Sequence, residues 1–149
     1  MRNLFPVVRI MAFAALSANS QETASEGLAC FENLAVPEYP NAALQAGVDG
    51  SVWTWTQVSP QGAIDKIQNE VVSPWGNAPK LLVPPVEKAL RAAKIKPQCA
   101  GKTVAVIFHY QLHGEPIPEP KVTSKKEGPN LIWIESRPAA AVPTAVRRP

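Results

Sequence analysis

Between residues 39 and 112 the spacing of apolar side chains changes from period two to the helical period and back. That alternation confines the chain to a small mixed fold, because each periodicity buries a different kind of face. Pro40 suits the start of a short helix, since its missing N–H is one of the donors a helix start leaves unpaired anyway. Ala42, Ala43, Leu44 and Ala46 favour the helix and Gly47 stops it. A strand over 51–59 follows, with Val52, Thr54, Thr56 and Val58 on one face and Trp53, Trp55 and Gln57 on the other. Pro60-Gln61-Gly62 turns the chain into a second strand over 63–73. There Ile64 and Ile67 are three apart, which breaks period two and predicts a bulge. Pro84-Pro85 marks the start of a second helix, whose buried stripe is Val86, Ala89, Leu90 and Ala93 and which Pro97 prevents from running on. Residues 103–112 form the third strand: Val104, Val106, Phe108, Tyr110 and Leu112 face one way, Ala105, Ile107, His109 and Gln111 the other. The expectation is an α+β domain, a short helix then β-β-α-β, with helices on one face of a three-stranded antiparallel sheet.

The flanks set the boundaries. Arg2 and Arg9 precede a nine-residue apolar run, 10–18, with small residues at Ala18 and Ser20. This reads as a signal peptide over 1–20, the run being well short of the ~20 residues that span a bilayer as a helix. An uncleaved leader anchoring the chain in the inner membrane is the alternative; after cleavage no stable membrane span is expected. Residues 21–38 form a lead segment and 39–113 the folded unit. From Gly114 onward seven of 36 residues are proline, so 114–149 reads as a mostly extended or disordered tail. Its exception is the apolar cluster Leu131, Ile132, Trp133 and Ile134.

Loss of the leader would leave 13 basic against 12 acidic residues. Phosphate neutralisation needs a concentrated basic surface, so a nucleic-acid partner is not expected. Two cysteines, Cys30 and Cys99, in an exported chain favour one disulfide, which would tie the lead segment to the turn after the second helix. His109 and His113 together with two separated thiols lack metal-ligand spacing, and neither a metal nor a cofactor is expected. No Gly-X-Ser-X-Gly, His-Glu-X-X-His or paired-carboxylate pattern is present, so no catalytic residues are assigned and an enzyme is not expected.

With helices on one side of the sheet, Trp53 and Trp55 stand on the other, unusual for a surface that is merely solvated. Three occupants suit this aromatic face: the chain's own 131–134 cluster, a second copy in a homodimer, or an external ligand.

The residues of the folded unit resemble the C-terminal domain of TonB-family proteins. The matching series is Tyr39-Pro40 with Ala42 and Ala43, Gly47-Val48, Gly50-Ser51-Val52, Val58, Pro60 and Gly62. It continues through Val71-Val72-Ser73, Ala89-Leu90-Arg91, Ile95-Lys96-Pro97, Gly101, Val104, Val106 and Phe108. At the end of the second helix, where that family usually has an aromatic, this chain has Ala92, Ala93 and Lys94. The resemblance implies a periplasmic domain that grasps a short peptide of an outer-membrane receptor by adding a strand to a sheet edge. Main-chain pairing would supply the affinity. Carried over, the binding groups are the backbone N–H and C=O of Val104, Ala105, Val106, Ile107, Phe108, His109 and Tyr110. The short apolar run and the roughly 18 residues between cleavage site and Tyr39, each reaching ~3.5 Å at most, depart from the family's membrane-tethered energy transducers. The expected function is therefore a TonB-like protein-binding module possessing no tether. The competing expectation is a structural or assembly protein that homodimerises through its sheet edge or Trp face.

Overall fold

The computed structural model describes residues 27–141. The expected leader, 1–20, lies outside them. Over this span the chain is α+β, with helices α1 (Asn41–Ala46) and α2 (Ala78–Ala92). Strands β1 (Phe31–Asn33), β2 (Gly50–Val58), β3 (Ile64–Val72), β4 (Lys94–Ile95) and β5 (Thr103–Leu112) come in chain order, followed by β6 (Thr123–Glu127) and β7 (Leu131–Ser136). The central part follows the expected helix, hairpin, helix, strand order. Gly47 caps α1 at φ 67°, its N–H bonded to the Ala43 carbonyl, and Gly62 turns the β2–β3 hairpin at φ 84°. The bulge falls where Ile64 and Ile67 lose period two. Gln57 pairs Lys66 but Val58 pairs Ile64, leaving Asp65 as the extra residue.

The sheet is larger than three strands. Its order is β3-β2-β5-β7-β6, and β5 pairs β7 in parallel while all other neighbours are antiparallel. The segment expected to be an extended or disordered tail therefore supplies two strands. Ile132 and Ile134 reach 0% exposure in the core, beside Phe108 and Tyr110. The physical reason is period two within Leu131–Ser136: Ile132, Ile134 and Ser136 are buried, while Leu131, Trp133 and Glu135 alternate to the opposite face. Past β7 the chain still adheres, Ala139 N–H donating to the Leu44 carbonyl of α1.

The lead segment also belongs to the fold. β1 pairs β4 as a small second sheet, and Cys30, Phe31 and Leu34 are buried. Cys30 and Cys99 are joined as a disulfide, Cα atoms 5.6 Å apart. It links the start of β1 to the 3₁₀ turn Pro97–Cys99, across 69 residues of sequence.

α2 begins two turns earlier than the Pro84-Pro85 start expected from sequence, and both prolines lie inside it. Pro79 occupies the first turn, where its missing N–H is harmless. Ala78 and Leu82 extend the buried stripe of Val86, Ala89 and Leu90 backward at helical spacing. Each of these five residues is at most 8% exposed. Burying Leu82 offsets part of the cost of the hydrogen bonds that Pro84 and Pro85 cannot donate. Both helices cover one face of the sheet, where Val52, Val104, Val106, Phe108 and Ile132 form the core.

Candidate functional site

The β5 backbone expected to take a partner strand is enclosed. On one side Val104, Val106, Phe108 and Tyr110 are paired with Thr56, Thr54, Val52 and Gly50 of β2. On the other, Ile107, Phe108, His109 and Tyr110 lie in register with Leu131, Ile132, Trp133 and Ile134 of β7, and the Ile107 N–H donates 2.7 Å to the Asn130 carbonyl. Ala105, ahead of β7, is covered by the lead segment. Its carbonyl lies so close to Gly27 that a Cβ there would collide with it. The 104–110 edge is thus filled by the chain itself, and strand addition at β5 is corrected on that ground. The sequence reveals a strand but not its neighbours, and β7 arrives from beyond the boundary drawn at residue 113.

The edge that remains open is β3. It ends the sheet, and among the described residues no segment pairs with its outer side. Antiparallel alternation fixes which groups point outward. Lys66, Gln68, Glu70 and Val72 face Gln57, Trp55, Trp53 and Ser51 as the hydrogen-bonded partners of β2. The N–H and C=O groups of Ile67, Asn69 and Val71 therefore point away from the sheet. Their side chains lie toward α2, to which Asn69 Nδ2 donates a 2.7 Å bond at Glu87 Oε1. The opposite edge, β6, is fully exposed and carries Lys125, Lys126 and Glu127, the charges that discourage edge-to-edge pairing.

The second face of the sheet is not covered by the 131–134 cluster. That cluster lies in the plane of the sheet as β7 and lengthens the aromatic face instead. Register places Glu70, Trp53, Ile107, Leu131 and Glu127 in one row across all five strands, and Val72, Ser51, His109, Trp133 and Lys125 in the next. Trp53 is 41% exposed and Val72 56%. Within the second row Ser51 Oγ and His109 Nδ1 are 2.6 Å apart, the imidazole meets Trp133 edge-on at 4.4 Å, and Lys125 Nζ lies 5.5 Å from the Trp133 ring centre. The Ser51–His109 pair has a nucleophile and a base, but no carboxylate orients the ring among the described residues. It acts as a polar bridge between β2 and β5. Trp133 was missed as a member of this face, although its odd position in a period-two run was the available signal.

Two tyrosines brace the helix side. Tyr39 Oη donates to the Val48 carbonyl at 2.9 Å and its ring meets Tyr110 edge-on at 5.0 Å; Tyr110 Oη reaches the Glu38 carbonyl at 3.4 Å. Burial raises both phenols well above their ordinary range, with Asp49 adding to the effect at Tyr39, and Tyr39 and Glu38 at Tyr110. Among the described residues no helix is long and apolar enough to cross a membrane. Comparison with protein-family models, curated proteins and solved structures finds no match.

Proposed function

We propose that this chain is an exported, TonB-like protein-binding module that holds an extended segment of an envelope protein, such as an outer-membrane receptor, by β-strand addition at β3. The observation that carries this reading is the outer backbone of β3, nine residues long and unpaired among the described residues, beside an opposite edge defended by charge. Export is supported by the Cys30–Cys99 bond, which persists in oxidising compartments, and by the positively charged, apolar N-terminal run. The TonB-like order of helix, hairpin, helix and strand supports the mode of binding, with the docking strand moved from β5 to β3.

The test is a photocrosslinking side chain at exposed Gln68, compared with one at Gln111 on β5, in cells that export the protein. Adducts from Gln68 to a different envelope protein that disappear in Asn69→Pro but persist in Asn69→Ala would support the proposal. Proline removes an outward N–H without touching the β2 ladder, whereas alanine removes the same Glu87 contact and keeps the N–H. Adducts from Gln111 alone, or indifference to the proline, would overturn it.

A further inference from the structure

Resting on that reading of β3 as a docking edge, we infer that, until an envelope segment displaces it, the strand which docks there is β3 of a second copy, antiparallel, about a two-fold axis through Gln68. Laid against a second copy of itself, the β3 edge meets complementary groups. A two-fold centred on Gln68 sets Lys66 opposite Glu70 of the second copy, and Glu70 opposite its Lys66, so the symmetry makes two opposite-charge pairs at once. Gln68 meets its own symmetry mate, and a side-chain amide both donates and accepts, so the central pair satisfies itself. All three side chains are exposed and lie on the aromatic face.

The backbone agrees with this register. Ile67 falls opposite Asn69 of the second copy, and both carry outward N–H and C=O groups, so the pair and its twin can exchange about four main-chain bonds. On the helix side Ile67 and Val71, each partly exposed and packed at the core margin, come diagonally together across the axis. The bulge at Asp65 ends regular pairing at one side of this short segment.

The same operation applied to β6 gives the opposite result. An axis through Lys125 sets that lysine against itself and puts Lys126 opposite Ser124, leaving like charges at the centre of a strand that is exposed at every position. About its central residue β3 is self-complementary and β6 is not, which favours a closed pair over an extending fibre. The joined sheet has ten strands and a continuous outer face, with Trp53 and Trp55 on either side of the junction.

The experiment is sedimentation of the purified, disulfide-bonded protein over a concentration series, with Lys66→Glu, Glu70→Lys and the double reversal. The natural protein should pass from one chain to two as concentration rises. Each single reversal converts two attractive pairs into two repulsive ones and should weaken association about tenfold or more, while the double reversal should return it to within about threefold of the natural value. Added salt should weaken the natural dimer. A protein that stays monomeric throughout, or a dimer whose single reversals are silent or whose double reversal fails to restore it, would overturn the inference. Should the purified protein be monomeric while Gln68 still crosslinks to a different envelope protein, the second copy is refuted and strand addition stands. If both association and Gln68 adducts are missing, both readings fall.

Discussion

Truncating Ile134 to alanine tests whether β7 is a structural strand or a detachable appendage, on which the enclosure of β5 depends. The side chain is 0% exposed and sits in the core with Tyr110, its register partner on β5. Alanine removes three carbon groups, about 2.4 kcal/mol at ~0.8 kcal/mol each. The cavity left among close-packed neighbours raises the expected cost to about 3–4 kcal/mol, inside the ~2–5 kcal/mol typical of such truncations. Small domains have only ~5–15 kcal/mol in total, so Ile134→Ala should use up a large share of it. The assay is equilibrium urea unfolding with the disulfide intact, followed by far-ultraviolet circular dichroism and tryptophan fluorescence together. Both probes should shift to lower midpoint in step. Lys126→Ala, on exposed β6, should change stability by less than about 0.5 kcal/mol. A loss below about 1 kcal/mol at Ile134 would refute the reasoning, because β7 would then lie outside the cooperative unit and the β5 edge would be free to dock a partner after all.

Opening the Cys30–Cys99 loop by the double serine replacement should lower stability by about 4 kcal/mol in the chain-entropy model for a 69-residue separation. Thermal unfolding with and without reductant checks this, and an unchanged midpoint would count against it. The two raised phenols predict the alkaline limit. Unfolded tyrosine ionises near pH 10, whereas the folded groups hold their protons, so stability is full below about pH 10. Above it stability declines by up to about 1.4 kcal/mol per pH unit for each tyrosine. Phenolate absorbance at 295 nm should therefore rise together with unfolding; ionisation of both rings in a chain that stays folded would contradict their burial.

The strands that alternate strictly were legible from sequence. Residues 103–112 coincide with β5, and the Trp53 and Trp55 face of β2 was readable because Val52, Thr54 and Thr56 oppose it at period two. Gly47 and Gly62 announced their turns through the positive φ they supply. The start of α2 was misplaced because Pro84-Pro85 is ordinarily a boundary, and only tertiary burial of Ala78 and Leu82 carries the helix across it. β6 was illegible for a different reason: Thr123, Ser124, Lys125, Lys126 and Glu127 contain no apolar residue, so the strand exists only because β7 offers it a ladder. β7 was legible in principle, yet the prolines around it outweighed its alternation. The candidate site suffered from the same fact. Which edge of a sheet is open depends on pairings between distant segments, and no local pattern in 103–112 records that residues 131–136 will lie beside it.

The parallel neighbour of β5 is separated from it by β6 and two connections, so the middle of the sheet is finished by residues that follow it by more than a dozen positions. A chain passing from N- to C-terminus through an export channel would hold β5 with one naked flank until β7 had also emerged. The Cys30–Cys99 link can close before that moment, since both thiols precede β7. An exported molecule would then be a covalently looped but unfinished sheet, and in that brief interval a foreign strand, or a neighbouring chain at the same stage, would compete best for the place β7 finally takes.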